Sequence, residues 1–306
     1  DITIELDPSG TVVLTAVELD GGSTDNCGSV NFDIDAQFTE FDCSQVGTHT
    51  ITLTATDANG NTSTCDAQVE VENNQVPTVS CQDITVYLDA AGNVSIIADD
   101  VNGGTNASCG LASLTVSPNA FDCSNIGANG VVLTATDSTA NVTTCNATVT
   151  VLDTISPTAL CQDITVDLDA TGNIVIDVST LGGGSSDNCA VASVTVDSGQ
   201  LNTTFDCSTI GDNVVTVTVT DVNGNVSTCD AIVTVEDNTN PNASCASITV
   251  QLDPNGEVII TPVLVDNGSF DNCGIDTMTV LPQMLDCNNV GSNSVILTVT
   301  DVNGNI

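Results

Sequence analysis

Lysine and arginine are absent from this 306-residue chain, which carries 40 aspartates and glutamates and a single histidine, His49. Every carboxylate must therefore be hydrated, hydrogen-bonded by backbone N–H groups, or neutralised by a bound cation. Without clustered basic side chains the chain cannot displace counterions from phosphate, which excludes nucleic acid and anionic lipid surfaces as partners. Tryptophan is also missing, and there are only one tyrosine and six phenylalanines. The core is expected to rest on β-branched aliphatics, which suit pleated sheets better than helices. No apolar run approaches the roughly 20 residues of a membrane helix, so no membrane insertion of this segment is expected. The missing bases also predict the outcome of digestion: trypsin, which cleaves after Lys and Arg, leaves even the reduced and unfolded chain intact on a denaturing gel. Reproducible cleavage by pure trypsin would contradict the sequence itself.

What is present is a strongly repeated pattern. Mean hydropathy is positive, +0.22, so the acidic content is interleaved with enough Val, Ile, Leu and Thr to fold. Four blocks of about 80 residues align almost without gaps. Each opens with two alternating segments joined by a turn from Asp to Gly, as in ITIELDPSGTVVL and ITVDLDATGNIVI, and closes on alternating runs such as ITLTATD and VTVTVTD. Such turns suit tight hairpins, and a period of two with no helical periodicity reads as short antiparallel strands. The fold class expected is all-β: a tandem array of four immunoglobulin-like β-sandwich domains, the first and last truncated, extended as a rod. The repeats span residues 1–75, 76–155, 156–239 and 240–306. The segments VENNQVP, VLDTISP and VEDNTNP lead to Pro77, Pro157 and Pro241 and read as short, stiff linkers. Asp1 aligns with Asp83 and Ile306 with Val226, so this stretch is expected to belong to a longer array.

The 14 cysteines recur at fixed places, four to a complete block. In a chain almost without histidine this favours disulfides formed outside the reducing cytosol over zinc. The first and last strands of such a sandwich run parallel and start at one end, which suggests outer bridges Cys81–Cys145 and Cys161–Cys229. That leaves Cys27–Cys43, Cys109–Cys123, Cys189–Cys207 and Cys273–Cys287 as inner bridges. A rival scheme joins neighbouring blocks through Cys65–Cys81, Cys145–Cys161 and Cys229–Cys245.

The order of an initial Cys, Asp-Asn-Cys-Gly, Val/Ile-Gly, an alternating strand, Thr-Asp-x-x-Gly-Asn and x-x-x-Cys resembles the hyalin-repeat family of immunoglobulin-like extracellular modules. It is carried by DNCG at Asp25–Gly28 and Asp271–Gly274, DNC at Asp187–Cys189, and TDANGN or TDVNGN at Asp57, Asp221 and Asp301. The FDCS cysteine departs from the family pattern. Acidic arrays of this kind are similar to the giant surface adhesins of gliding bacteria of the Bacteroidetes type, exported by the type IX secretion system. The resemblance implies an extracellular, cell-surface stalk or filament segment serving adhesion or gliding motility, with unknown surface or substratum ligands and self-association into filaments. Two alternatives stand beside it: repeats that themselves bind glycan or surface ligands, and a spacer in a secreted multidomain enzyme.

Two acidic turns in each block should lie at the same end of a sandwich and could together hold calcium. The candidate ligands are Asp25, Asn26, Asp57, Asn59 and Asn61 in the first block, and Asp187, Asn188, Asp221, Asn223 and Asn225 in the third. The fourth block supplies Asp271, Asn272, Asp301, Asn303 and Asn305. Asp and Asn oxygens with turn carbonyls suit a hard cation, and the same residues also serve as ordinary turn formers. The second block lacks both signatures, with NASC at Asn106–Cys109 and DSTAN at Asp137–Asn141. No catalytic constellation is read. His49, without an equivalent in other blocks, is expected on a strand surface, and the Asp-Ser-Gly at Asp197–Gly199 reads as a hairpin tip, not half of an aspartic-protease pair.

Overall fold

The computed structural model describes residues 1–196 and 200–306, so Asp197–Gly199 lies outside the described residues. The chain divides into two compact units, Asp1–Asp153 and Thr154–Ile306. The expected strands are there, and the acidic-to-glycine turns connect them.

In the first unit, the first block forms a four-stranded sheet ordered Ile2–Glu5, Thr62–Glu72, Gly47–Thr56, Asn31–Ile34. Ile2–Glu5 runs parallel to the closing strand, with Ile2 opposite Val69, and the other pairs are antiparallel. A smaller sheet, Thr11–Val13 with Glu40–Asp42, covers one face. The second block repeats the order with Ile84–Tyr87, Val142–Leu152, Gly127–Asp137 and Leu111–Ser117. In the second unit, the third block does the same with Ile164–Asp167, Val226–Glu236, Gly211–Asp221 and Val191–Thr195. The fourth pairs Ile275–Leu281 with Ile296–Asp301 and Glu257–Ile259 with Met284–Asp286. A cavity of about 780 Å³ lined by Val250, Ile260, Val265, Leu285 and Leu297 lies beside this last pair of sheets.

Period-two burial places Ile51, Leu53, Val69 and Val71 inside the first sandwich, and Val131, Leu133, Val149 and Val151 inside the second. The expectation of an aliphatic core needs one correction: each of the first three sandwiches centres on one aromatic from its Phe-Asp-Cys motif. Phe41, Phe121 and Phe205 are buried, and Leu285 takes the place in the fourth. The sequence also shows no helical period, yet single helical turns occur at Ala16–Leu19, Ser179–Gly182 and Pro262–Val265. Four residues are barely one turn, too short for a 3.6-residue period to register.

The residues after that aromatic explain the FDCS motif. Asp42 Oδ1 accepts a hydrogen bond from Ser44 N at 2.8 Å and so caps the one-turn 3-10 helix Cys43–Gln45. Asp122, Asp206 and Asp286 cap the same turn in the other blocks. His49 closes it from the next strand. Its Nε2 lies 2.6 Å from the Gln45 carbonyl, which can only accept, so Nε2 carries the proton. The side-chain amides of Asn129, Asn213 and Asn293 donate to the carbonyls of Asn125, Thr209 and Asn289 in the same way. His49 is thus half-buried beside Phe41, with ring centroids 5.5 Å apart, and it has equivalents of a different residue type.

The inner disulfides differ from the sequence expectation. Cys81–Cys145 and Cys161–Cys229 close the second and third blocks, which removes the rival scheme. Cys43, however, is bonded to Cys109 and Cys207 to Cys273, each bridge crossing to the following block. Cys27 and Cys287 are exposed free thiols, so Cys27–Cys43 and Cys273–Cys287 do not form. Cys109–Cys123 and Cys189–Cys207 are likewise ruled out, although Cys123 and Cys189 are disulfide-bonded. Strand register gives the reason. Asn31, shortly after Cys27, is opposite Thr56, whereas Cys43 precedes Gly47 at the other end of that 10-residue strand. At about 3.3 Å per residue the two cysteines sit roughly 30 Å apart, far beyond the ~7 Å Cα limit for a bridge.

The same junctions require glycine in the Asp-to-Gly turns. Gly10 has φ of +80°, and a Cβ there would lie 2.9 Å from Cys43 Sγ and 3.0 Å from the Ser108 carbonyl of the next block. At Gly172 (φ +74°) it would lie 2.7 Å from Cys207 Sγ and 2.8 Å from the Asn272 carbonyl. Only glycine tolerates both the left-handed backbone and this approach.

Candidate cation site

The two acidic turns share one end of each sandwich, because Ile275, just after Asp271–Asn272–Cys273, pairs with Asp301 at the start of the last Asp-x-Asn-Gly-Asn turn. Asp301 organises that turn. Its Oδ1 accepts from Asn303 N at 2.9 Å and Asn305 N at 2.8 Å, and its Oδ2 accepts from Asn305 Nδ2 at 2.8 Å. Burial alone raises the Asp301 pKa, but these hydrogen bonds outweigh it and leave the carboxyl below its ordinary value, charged at neutral pH. Asp271 is held by its Oδ2, which accepts from Cys273 N at 2.8 Å and Gly274 N at 3.0 Å.

A third carboxylate arrives from the preceding block. Asp237, directly after the strand Val226–Glu236, is only 6% exposed. Oxygens of Asp237, Asp271 and Asp301 all lie within 4.8 Å of one another. Asp237 Oδ1 accepts from Thr239 N at 3.2 Å and from Asn272 Nδ2 at 3.1 Å, and the Asp237 carbonyl accepts from Asn305 Nδ2 at 2.9 Å. What remains is a set of acceptors without donors: Asp237 Oδ2, Asp271 Oδ1 and Asn272 Oδ1 are buried and make no hydrogen bond.

The fourth-block candidates thus divide by geometry. Asp271, Asn272 and Asp301 converge. Asn303 contributes its backbone N–H while its side chain is exposed, and Asn305 uses its amide to fix Asp301 and the Asp237 carbonyl. Asp237 was missed by motif reading because it belongs to the linker. The signal was available in the alignment, since VLDTISP and VEDNTNP carry Asp153 and Asp237 where VENNQVP has Asn73.

In the third block, Asp187 Oδ2 accepts from Cys189 N and Ala190 N, and Asp221 accepts from Asn223 N, Asn225 N and Asn225 Nδ2 in the same turn geometry. Asn188 follows in the Asp-Asn-Cys turn, half-buried. In the first block, Asp57 accepts from Asn59 N, Asn61 N and Asn61 Nδ2, and Asp25 from Cys27 N, with Asn26 exposed. Among the described residues neither Asp25 nor Asp57 joins a group of three acidic side chains.

The first unit contains the corresponding junction between the first and second blocks, wired differently. Asn73 stands for Asp237 and Ala107 for Asp271, and only Asp137 remains of the three acids. Asn73 is 5% exposed and donates through Nδ2 to Asp137 Oδ2 at 3.1 Å and Thr139 Oγ1 at 2.7 Å. Asn141 Nδ2 adds bonds to Asp137 Oδ2 and to the Asn73 carbonyl. Ser108 Oγ is buried without a partner there, but a hydroxyl carries no charge. Ala140 holds φ +70° where Gly304 has +95°, so the turn keeps its shape after losing its glycine.

No protein-family model and no curated protein matches the chain. Among solved structures, protocadherin gamma B7 extracellular cadherin domains 1–4 share 15% identity, covering 99% of this chain and 91% of that one, with a TM-score of 0.34. Sidekick-1 immunoglobulin domains 1–4 share 10%, over 76% and 73% of the two chains, with a TM-score of 0.31. Titin domains I67–I69 share 11%, over 70% and 84%, with a TM-score of 0.30.

Proposed function

We propose that the chain is a structural segment of an extracellular adhesive array, a stalk whose modules set reach and stiffness, and that it performs no catalysis. The observation that carries this reading is the pair of bridges, Cys43–Cys109 and Cys207–Cys273, that bond one sandwich to the next inside each unit. A module that only folds needs its own bridges; a module that bears load needs its neighbour fixed. Disulfides of this density belong outside the reducing cytosol. The finer reading is a cell-surface adhesin filament of the gliding type, exported by type IX secretion, with calcium bound at acidic turns. A glycan-binding surface would be expected to offer clustered exposed aromatics; Tyr87 and Phe270 are exposed, one in each unit.

Antibody against the chain should label intact, unpermeabilised cells of the producing organism, and the label should survive trypsin but not a protease of broad specificity. Labelling only after permeabilisation would refute an extracellular role.

A further inference from the structure

Resting on the cation reading above, we infer that the junction of the third and fourth blocks binds one calcium ion through Asp237, Asp271, Asp301 and the Asn272 side-chain carbonyl, and that the first unit has replaced its ion with the Asn73 amide. Three observations support the first half. The three acidic oxygens lie within 4.8 Å of one another, and no Lys or Arg exists anywhere to neutralise them. Asp237 is 94% withdrawn from solvent, and its Oδ2 has no donor. Asp271 Oδ1 and Asn272 Oδ1 are buried without donors as well.

Buried acceptors are ordinarily satisfied, and acceptors that face one another cannot satisfy each other. A cation serves all of them at once. The donors are carboxylate and amide oxygens with no nitrogen or sulfur, which matches calcium; magnesium demands a tighter octahedron and retains more of its water. The remaining bonds at the site hold the ligands in place. Asn305 ties Asp301 to the Asp237 carbonyl, and the Asn272 amide donates to Asp237 Oδ1, which turns its own carbonyl away from that bond.

The first unit supplies the contrast. Removing two of the three acids, at positions 73 and 107, removes the repulsion; Asn141 holds Asp137 as Asn305 holds Asp301, and the hydrogen bond from the Asn73 amide to Asp137 Oδ2 is the contact that takes the place of an ion. The Asn73 amide stands at the sequence position of Asp237 and bonds the turn aspartate of the next block, so it bridges the two sandwiches as a cation would.

The test is calorimetric titration of the oxidised full chain with calcium chloride at physiological salt. Three proteins are compared: wild type, Asp237→Asn, and Asn73→Asp combined with Ala107→Asp. Asp237→Asn should bind one calcium fewer than wild type, and the double variant one more. Its melting temperature should depend on calcium more strongly than that of wild type. Far-ultraviolet circular dichroism in chelator checks that each variant is folded. Binding by wild type that Asp237→Asn leaves unchanged would overturn this site while sparing the general cation reading. No calcium binding by wild type would overturn both. Equal uptake of magnesium at equal concentration would overturn the assignment to calcium, and an unchanged stoichiometry in the double variant would overturn the account of the first unit.

Discussion

Pulled from its ends past unfolding, the reduced chain should extend at least about 500 Å further than the oxidised chain. In the first unit the loops closed by Cys43–Cys109 and Cys81–Cys145, with sequence separations of 66 and 64, overlap. The shortest covalent route from Cys43 to Cys145 crosses the first bridge, runs back from Cys109 to Cys81 and crosses the second. That is about 28 residues, roughly 100 Å at 3.3–3.6 Å per residue, against about 102 residues and roughly 350 Å when both bridges are open. In the second unit the loops of 68 and 66 overlap likewise. The route from Cys161 to Cys273 shortens from about 112 residues to about 22, or from roughly 390 Å to roughly 75 Å.

The overlap also makes each unit redundant. With Cys43 and Cys109 both changed to Ser, the route still shortens through Cys81–Cys145 to about 38 residues, so one broken bridge releases little length. Single-molecule force spectroscopy with terminal handles, with and without a thiol reductant, measures the contour length directly. Equal lengths in the two conditions would remove the mechanical argument for the bridges between modules.

Phe41→Ala should destabilise the first sandwich by about 3–5 kcal/mol, the usual result of removing a large buried ring and leaving a cavity. Phe41 is fully buried and packs on Phe38 and His49 at centroid distances of 6.0 and 5.5 Å. Small domains have only about 5–15 kcal/mol in total, and one with so few aromatics has little to replace the loss. Phe41→Leu should cost less than about 1.5 kcal/mol, since the fourth sandwich already uses Leu285 at this place. Val13→Ala, on the neighbouring strand at 64% exposure, should stay within about 0.5 kcal/mol. Urea denaturation of the oxidised proteins separates the three. A Phe41→Ala effect below about 1 kcal/mol would mean the aromatic is not the centre of its core.

The secondary-structure elements were legible in the sequence. Alternation of Val, Ile and Thr with polar residues defines the strands, and Asp-to-Gly turns define where they reverse, because both signals act between residues near in sequence. It also placed the two acidic turns at one end of each sandwich, since the turns reverse the chain and so fix which way each strand runs. The helical turns left no legible trace, and although the recurring Phe of the Phe-Asp-Cys motif and the alignment of His49 with Asn129, Asn213 and Asn293 stand in the sequence, what these side chains fill does not. Each depends on a shape that different residues can fill. Tertiary structure alone decided the partners across a module boundary. Cys43 meets Cys109, not Cys27, because a 10-residue strand holds its own block's second cysteine at the far end and brings the next block's near. Asp237 meets Asp271 and Asp301 for the same reason: the end of one sandwich's last strand lies against the turn end of the next, a contact between residues too distant in sequence for any local pattern to record.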